Sequence, residues 1–173
     1  GPGDPPAHSR GTEQVRALGS LWVLCEGAGS MPGGGGEARM LMTLGYDPDQ
    51  QAFVGTWVGS MMTHMWVYRG TLDADHKVLT LETEGPSFKA DGATMRYRDV
   101  ITVVSANERT LTSFGQQPDG SWKQFMQAKY TRTSSATARL PPEGRRNRRA
   151  SHARSTAALV LHPASPQSPA QCA

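Results

Sequence analysis

Apolar and polar residues alternate along most of the chain between residues 12 and 133, which is the period-two pattern of half-buried β-strands. The pattern is clearest in residues 53–72, FVGTWVGSMMTHMWVYRGTL, where two strands are predicted to reverse near Ser60 to Thr63. The rest of the predicted fold is organised around this hairpin. The positions that share a face in its two strands are Phe53, Gly55, Trp57 and Gly59, then His64, Trp66 and Tyr68.

Further strands are predicted on both sides of the hairpin, at 12–18, 21–26, 39–46, 78–84, 95–104, 109–114 and 121–132. Turn signals rich in Asp, Pro and Gly separate them, as in Asp47-Pro48-Asp49-Gln50 and Pro118-Asp119-Gly120. About nine strands with short connections predict an all-β, antiparallel up-and-down barrel, with room for side chains and one small ligand. In the last strand, one face is predicted to carry Trp122, Gln124, Met126, Ala128 and Tyr130.

Composition divides the chain of 173 residues into unlike parts. The four Trp, four Tyr and four Phe residues all lie between Trp22 and Tyr130. Residues 134–173 contain six Arg and one Glu among many Ala, Ser and Pro, a composition that cannot bury enough apolar surface to fold. We therefore predict an irregular lead-in at 1–11, a β-barrel domain at 12–133 and a disordered basic tail at 134–173.

The net charge of +3 is carried by the tail, so no specific nucleic-acid partner is predicted for the folded part. The tail has three interpretations: an arm for acidic partners, a segment with no specific role, or the product of a shifted reading frame. No run approaches the roughly 18 apolar residues of a transmembrane helix, and no signal segment opens the chain. We expect no membrane insertion and a cytoplasmic location. Cys25 is predicted to be a small buried apolar residue.

Several long runs resemble a bacterial family catalogued as domain of unknown function 1579. They are GSLWVLCEGAGSMPGGG, MLMTLGYDPDQQAFVGTWVGSMMTHMWVYRGTLD, VLTLETEGPSF and YRDVITV, and the resemblance extends from about Thr12 to Thr133. It implies a lipocalin-like (calycin) β-barrel and no established activity. Such proteins usually begin with a short helix and a Gly-x-Trp strand, and end soon after the strand matching Phe125 to Arg132. The resemblance therefore implies a barrel short of its first strand, with an atypical tail, whose exposed edges predict self-association.

His64 is the first candidate for a functional side chain. If it points inward beside Trp66 and Tyr68, its imidazole could ligate a metal or haem, act as a base or hydrogen-bond a ligand. The simpler interpretation is a histidine at the barrel rim or one bonded to a backbone carbonyl, because no second metal ligand stands at a recognisable spacing. No cofactor and no metal site are predicted.

Asp99 is the second candidate, because it stands between Tyr97 and Ile101 on an otherwise apolar face. A carboxylate in such a position needs a partner, which His64, an arginine or a backbone amide could supply. Glu82 and Glu84 could form an acid–base pair, but strand alternation favours the solvent face for both. The arginines at 96 and 98 are expected on that outer face too, paired with these glutamates across strands.

The predicted function is non-enzymatic binding of a small hydrophobic or amphipathic molecule in the barrel. The first alternative is an isomerase or hydrolase in which His64 and Asp99 form an acid–base pair. The second is haem or metal binding through His64. The predicted ligand-binding residues are His64, Asp99, Trp57, Trp66, Tyr68 and Tyr97.

Overall fold

Nine β-strands make up the regular structure of this computed structural model, which describes residues 8–31, 35–89 and 91–133. The predicted tail at 134–173 and most of the predicted lead-in lie outside the described residues. The strands are β1 Gly11–Leu18, β2 Trp22–Ser30, β3 Glu37–Asp47, β4 Ala52–Gly59, β5 Trp66–Leu72, β6 Val78–Pro86, β7 Thr94–Ser105, β8 Glu108–Gln116 and β9 Trp122–Thr131.

Each strand pairs antiparallel with the strand that follows it, so the sheet order is the chain order from β1 to β9. The predicted all-β fold of nine antiparallel strands is confirmed. Turn chemistry explains the short connections. Asp47 Oδ1 accepts the backbone N–H groups of Asp49 and Gln50, and Asp73 Oδ1 accepts those of Lys77 and Val78.

The sheet curls into an open half-barrel. Within the described residues, β1 pairs only with β2 and β9 only with β8, so both remain edge strands. A buried ion pair nevertheless joins Glu13 of β1 to Arg109 of β8 across the concave side. Glycines let neighbouring strands approach closely, because a Cβ at Gly55 or Gly70 would overlap a carbonyl oxygen of the neighbouring strand.

The concave face holds the hydrophobic core. Its inward positions follow the predicted alternation, with Leu44, Leu79 and Leu81 fully buried. Partly buried rings and aliphatic chains pack against these residues, so the core runs along the inside of the curl. The buried cluster is Val23, Cys25, Leu44, Phe53, Tyr68, Leu79, Leu81 and Ile101.

The glutamates of β6 and the arginines of β7 lie on the outer face, as predicted. Glu82 accepts from Arg96 at 2.9 Å and from Arg98 at 2.6 Å, which confirms the cross-strand pairing of these residues. The prediction that Trp122 shares one face of the last strand with Met126, Ala128 and Tyr130 is wrong. A register shift between residues 113 and 114 reverses the alternation in β9, and Trp122 lies under the Arg98 guanidinium at 4.1 Å on the outer face.

Candidate functional site

The hairpin of β4 and β5 is more open than its sequence predicted. β5 begins at Trp66, so His64 lies in the connection 60–65 and not on the strand, and that prediction is wrong. Ser60 explains the difference, because its N–H donates to the carbonyl of Arg39 at 2.8 Å and holds the connection against β3. Trp57 pairs with Trp66 across the hairpin, half-buried against the core.

Five rings form a continuous series, here called the aromatic row: His64, Trp66, Tyr97, Phe88 and Phe125. Successive centroids are 4.8, 4.9, 5.4 and 4.8 Å apart, and each pair meets edge to face. Such contacts stabilise a pair of rings beyond the area that they bury. The row runs from the half-buried imidazole to the exposed rings of Phe88 and Phe125.

The imidazole at the inner end of the row has a buried nitrogen without a partner. His64 Nε2 makes no hydrogen bond, although solvent does not reach it. The ring leans over Gly85, where an added Cβ would lie 2.9 Å from Nε2. Buried polar atoms are nearly always hydrogen-bonded in native proteins, so an unbonded buried nitrogen at this position is unusual.

Asp99 does have partners, as expected for a carboxylate on the concave face. The hydroxyl of Tyr68 donates to Oδ2 at 2.6 Å, and that of Ser113 donates to Oδ1 at 2.5 Å. Burial, and then the Asp99 charge, raise the pKa of Tyr68 far above its ordinary value, so its hydroxyl stays a donor. The partners proposed from sequence were wrong, and no hydrogen bond joins Asp99 to His64.

A second buried polar group, formed by Glu13, Arg109 and Tyr130, was missed by the sequence predictions. Arg109 is 5% exposed, donates to Glu13, and lies 4.1 Å over the Tyr130 ring. Burial raises the pKa of Glu13, although the charge of Arg109 opposes this. Strand alternation could have revealed the group, since Glu13 precedes Val15 by two positions.

Burial also controls the neighbouring thiol and phenol. Desolvation raises the pKa of Cys25 to about 12, with the Glu13 charge adding to the effect. Desolvation likewise raises the pKa of Tyr130 to about 12. Both groups are therefore neutral at physiological pH, and the thiol is a packing residue instead of a nucleophile.

Two concavities lie away from the aromatic row, and Glu13 lines the second of them. One of about 360 Å³ is formed by the turn at 73–76 with Tyr46 and Phe53, and one of about 460 Å³ lies along β1 to β3. None of the ligand-binding residues predicted from sequence lines either of them. The structure thus gathers those residues into the aromatic row, with Trp57 beside it, and into the Tyr68–Asp99 pair.

In the part of the chain that the structure describes, no three His, Cys, Asp or Glu side chains come together in a way that could hold a metal ion. Over the same residues, no helix has the length and apolar character to span a membrane.

Residues 1–132 match the model of a family described as "Protein of unknown function (DUF1579)". The chain belongs to this family. The matched range contains all nine strands, which confirms the resemblance carried by the sequence runs. No curated protein and no solved structure matches the chain significantly. Membership of the DUF1579 family assigns no activity, so the function has to be argued from the geometry of the concave face.

Proposed function

We propose that the protein binds a small hydrophobic or amphipathic molecule at the aromatic row. The observation that carries the proposal is the buried, unpartnered Nε2 of His64 at the inner end of a row of rings. Apolar walls with a few polar groups are the usual lining of small-molecule sites. A ligand with one polar group would bond this nitrogen and lay its apolar part along the rings.

The outer end of the row offers the apolar surface that such a ligand needs. Phe88 is 60% exposed and Phe125 50%, and their rings are in contact, so they form a contiguous apolar patch of the kind that marks binding surfaces. In a meander of this order, the connections β4–β5 and β6–β7 lie at the same end of the sheet, so the connection 60–65 lies at the same end as Phe88. Met62 belongs to that connection, and its sulfur accepts from Trp66 Nε1 at 3.2 Å.

The other predicted ligand-binding residues support the site. Trp57 and Tyr97 form walls on either side of Trp66, by strand pairing and by ring contact respectively. Tyr68 and Asp99 bond each other beneath the row and hold the concave face in shape. Because both carboxylate oxygens of Asp99 already accept hydroxyl groups, binding is favoured over acid–base catalysis.

The test uses cis-parinarate, a fatty acid that accepts energy transfer from tryptophan. We expect saturable transfer in the full chain, and no change in the mass of the recovered probe. Phe88→Ser and Phe125→Ser should each weaken binding about tenfold, or about 1.4 kcal/mol. Val104→Ser, which alters an exposed apolar residue on β7, serves as the matched control. Absence of saturable transfer, or equal affinity in all variants, would contradict the proposal.

A further inference from the structure

Two buried side-chain polar atoms have no hydrogen-bond partner among the described residues: His64 Nε2 and Thr83 Oγ1. Each is an unusual feature by itself, because folded proteins leave few buried polar atoms unbonded. Thr83 was not among the predicted site residues, although its alternation with Glu82 and Glu84 places it on the inner face of β6.

The two atoms belong to the same small region of the concave face. Thr83 and Gly85 are two positions apart on β6 and share a face, which separates their Cα atoms by about 7 Å. The imidazole of His64 leans over Gly85, with Nε2 2.9 Å from the position of an added Cβ. The Trp66 ring also contacts Gly85, and Tyr97 pairs with Thr83 across β6 and β7.

We infer that His64 Nε2 and Thr83 Oγ1 together hold the polar headgroup of the ligand, and that this headgroup is a hydroxyl group. The inference rests on the proposed function and adds the chemical class of the ligand. A threonine hydroxyl donates and accepts, whereas a neutral imidazole nitrogen does one or the other. An O–H group that donates to one atom and accepts from the other satisfies both.

Both atoms face the same stretch of β6, Thr83 on the strand and His64 Nε2 over Gly85, which favours a single small group. One oxygen with a hydrogen bond of about 2.8 Å on each side joins two polar atoms up to about 5.6 Å apart. An ether oxygen only accepts, and its second carbon occupies the side from which a hydroxyl hydrogen would be donated. The pair therefore selects alcohols over their ethers.

The experiment measures octanol and octyl methyl ether binding by isothermal titration calorimetry with the full chain. The wild type should bind octanol about tenfold more tightly than the ether, the discrimination expected from one buried hydrogen bond. Thr83→Val keeps the shape but removes the hydroxyl, and should reduce the preference to about onefold to twofold. The matched control is Thr80→Val, on the opposite face of the same strand, which should keep the tenfold preference.

Thr83→Val also has a readout that is independent of the ligand. Replacing an unpartnered buried hydroxyl by a methyl group should raise the melting temperature of the free protein, and Thr80→Val should not. A preference for octanol that survives in Thr83→Val would overturn the inference and leave the proposed function standing. Equal binding of both probes by the wild type would mean that water alone bonds the pair, and would also overturn it. No binding of either probe, together with no parinarate binding, would overturn both proposals.

Discussion

At the scale of single residues, burial decides which groups stay neutral. Asp99 keeps two hydroxyl donors, and the pKa of Tyr68 rises far above its ordinary value because of burial and the neighbouring charge. Cys25 and Tyr130 are likewise held neutral by desolvation. Strand alternation was enough to predict that Asp99 needed partners. It could not name Tyr68, which lies two strands earlier on β5, or Ser113, whose position opposite Asp99 depends on the register of β7 with β8.

The raised pKa of Cys25 predicts lower stability at alkaline pH. The thiol ionises near 9.0 in an unfolded chain and near 12 in the folded protein, so the unfolded state loses its proton first. The free energy of unfolding should therefore fall as pH rises from about 9 to about 12, by at most about 1.4 kcal/mol per pH unit for this thiol. Urea unfolding at several pH values measures the slope. Cys25→Ala should have a shallower slope, and equal slopes would contradict the assignment.

At the scale of secondary-structure elements, two local irregularities determine which side chains meet. The register shift between β8 and β9 sends Trp122 outward to the arginines of β7, although its strand looks regular in sequence. The connection 60–65 continues past the predicted reversal, so β5 begins late and His64 lies over Gly85. Both irregularities depend on hydrogen bonds to a neighbouring strand, so alternation within one strand does not reveal them.

Gly85 leaves space on β6 for the Trp66 and His64 rings at the inner end of the aromatic row. A Cβ at this position would overlap the Trp66 ring and crowd His64. Gly85→Ala should therefore lower the free energy of unfolding by about 1–3 kcal/mol, as overpacking does. It should also shift the tryptophan emission. Urea unfolding followed by fluorescence measures both effects. Gly35→Ala, where an added Cβ would meet only ordinary contacts, is the control and should behave like the wild type.

At the scale of the whole molecule, the curl brings the first strand to the eighth. Arg109 donates to Glu13 across 96 residues of sequence, and no ladder joins these strands in the described part of the chain. A buried ion pair of this kind is costly to break, because the remaining charge stays buried without a partner. The pair therefore links β1 to β8 and stabilises the curled shape of the half-barrel.

A double-mutant cycle measures the coupling between Glu13 and Arg109. Arg109→Leu alone should cost about 3–5 kcal/mol of unfolding free energy, and Glu13→Leu added to it should recover a large part. The exposed pair Arg16 and Glu26, 3.0 Å apart, should show a coupling of at most about 1 kcal/mol. If the changes in unfolding free energy of the two single variants simply added up in the double variant, the pair would not hold the curled sheet together.

The number of strands leads to a prediction about association. In a meander of nine strands the first and last run in the same direction, so β1 and β9 cannot close the sheet by antiparallel pairing. Exposed edges of this kind pair with other chains. We expect the average mass in analytical ultracentrifugation to rise with protein concentration. The mass of a single chain at every concentration would contradict this prediction.

The sequence by itself determined the strands, most of their inward and outward positions, and the outer pairing of Glu82 with Arg96 and Arg98. These features depend on period-two alternation and turn chemistry, which are properties of neighbouring residues. Only the tertiary structure decided which side chains meet on the concave face: Tyr68 and Ser113 at Asp99, Glu13 at Arg109, and His64 with Trp66 at Gly85. Those contacts depend on the curvature of the sheet and on the position of the register shift. Both are set by packing between distant parts of the chain.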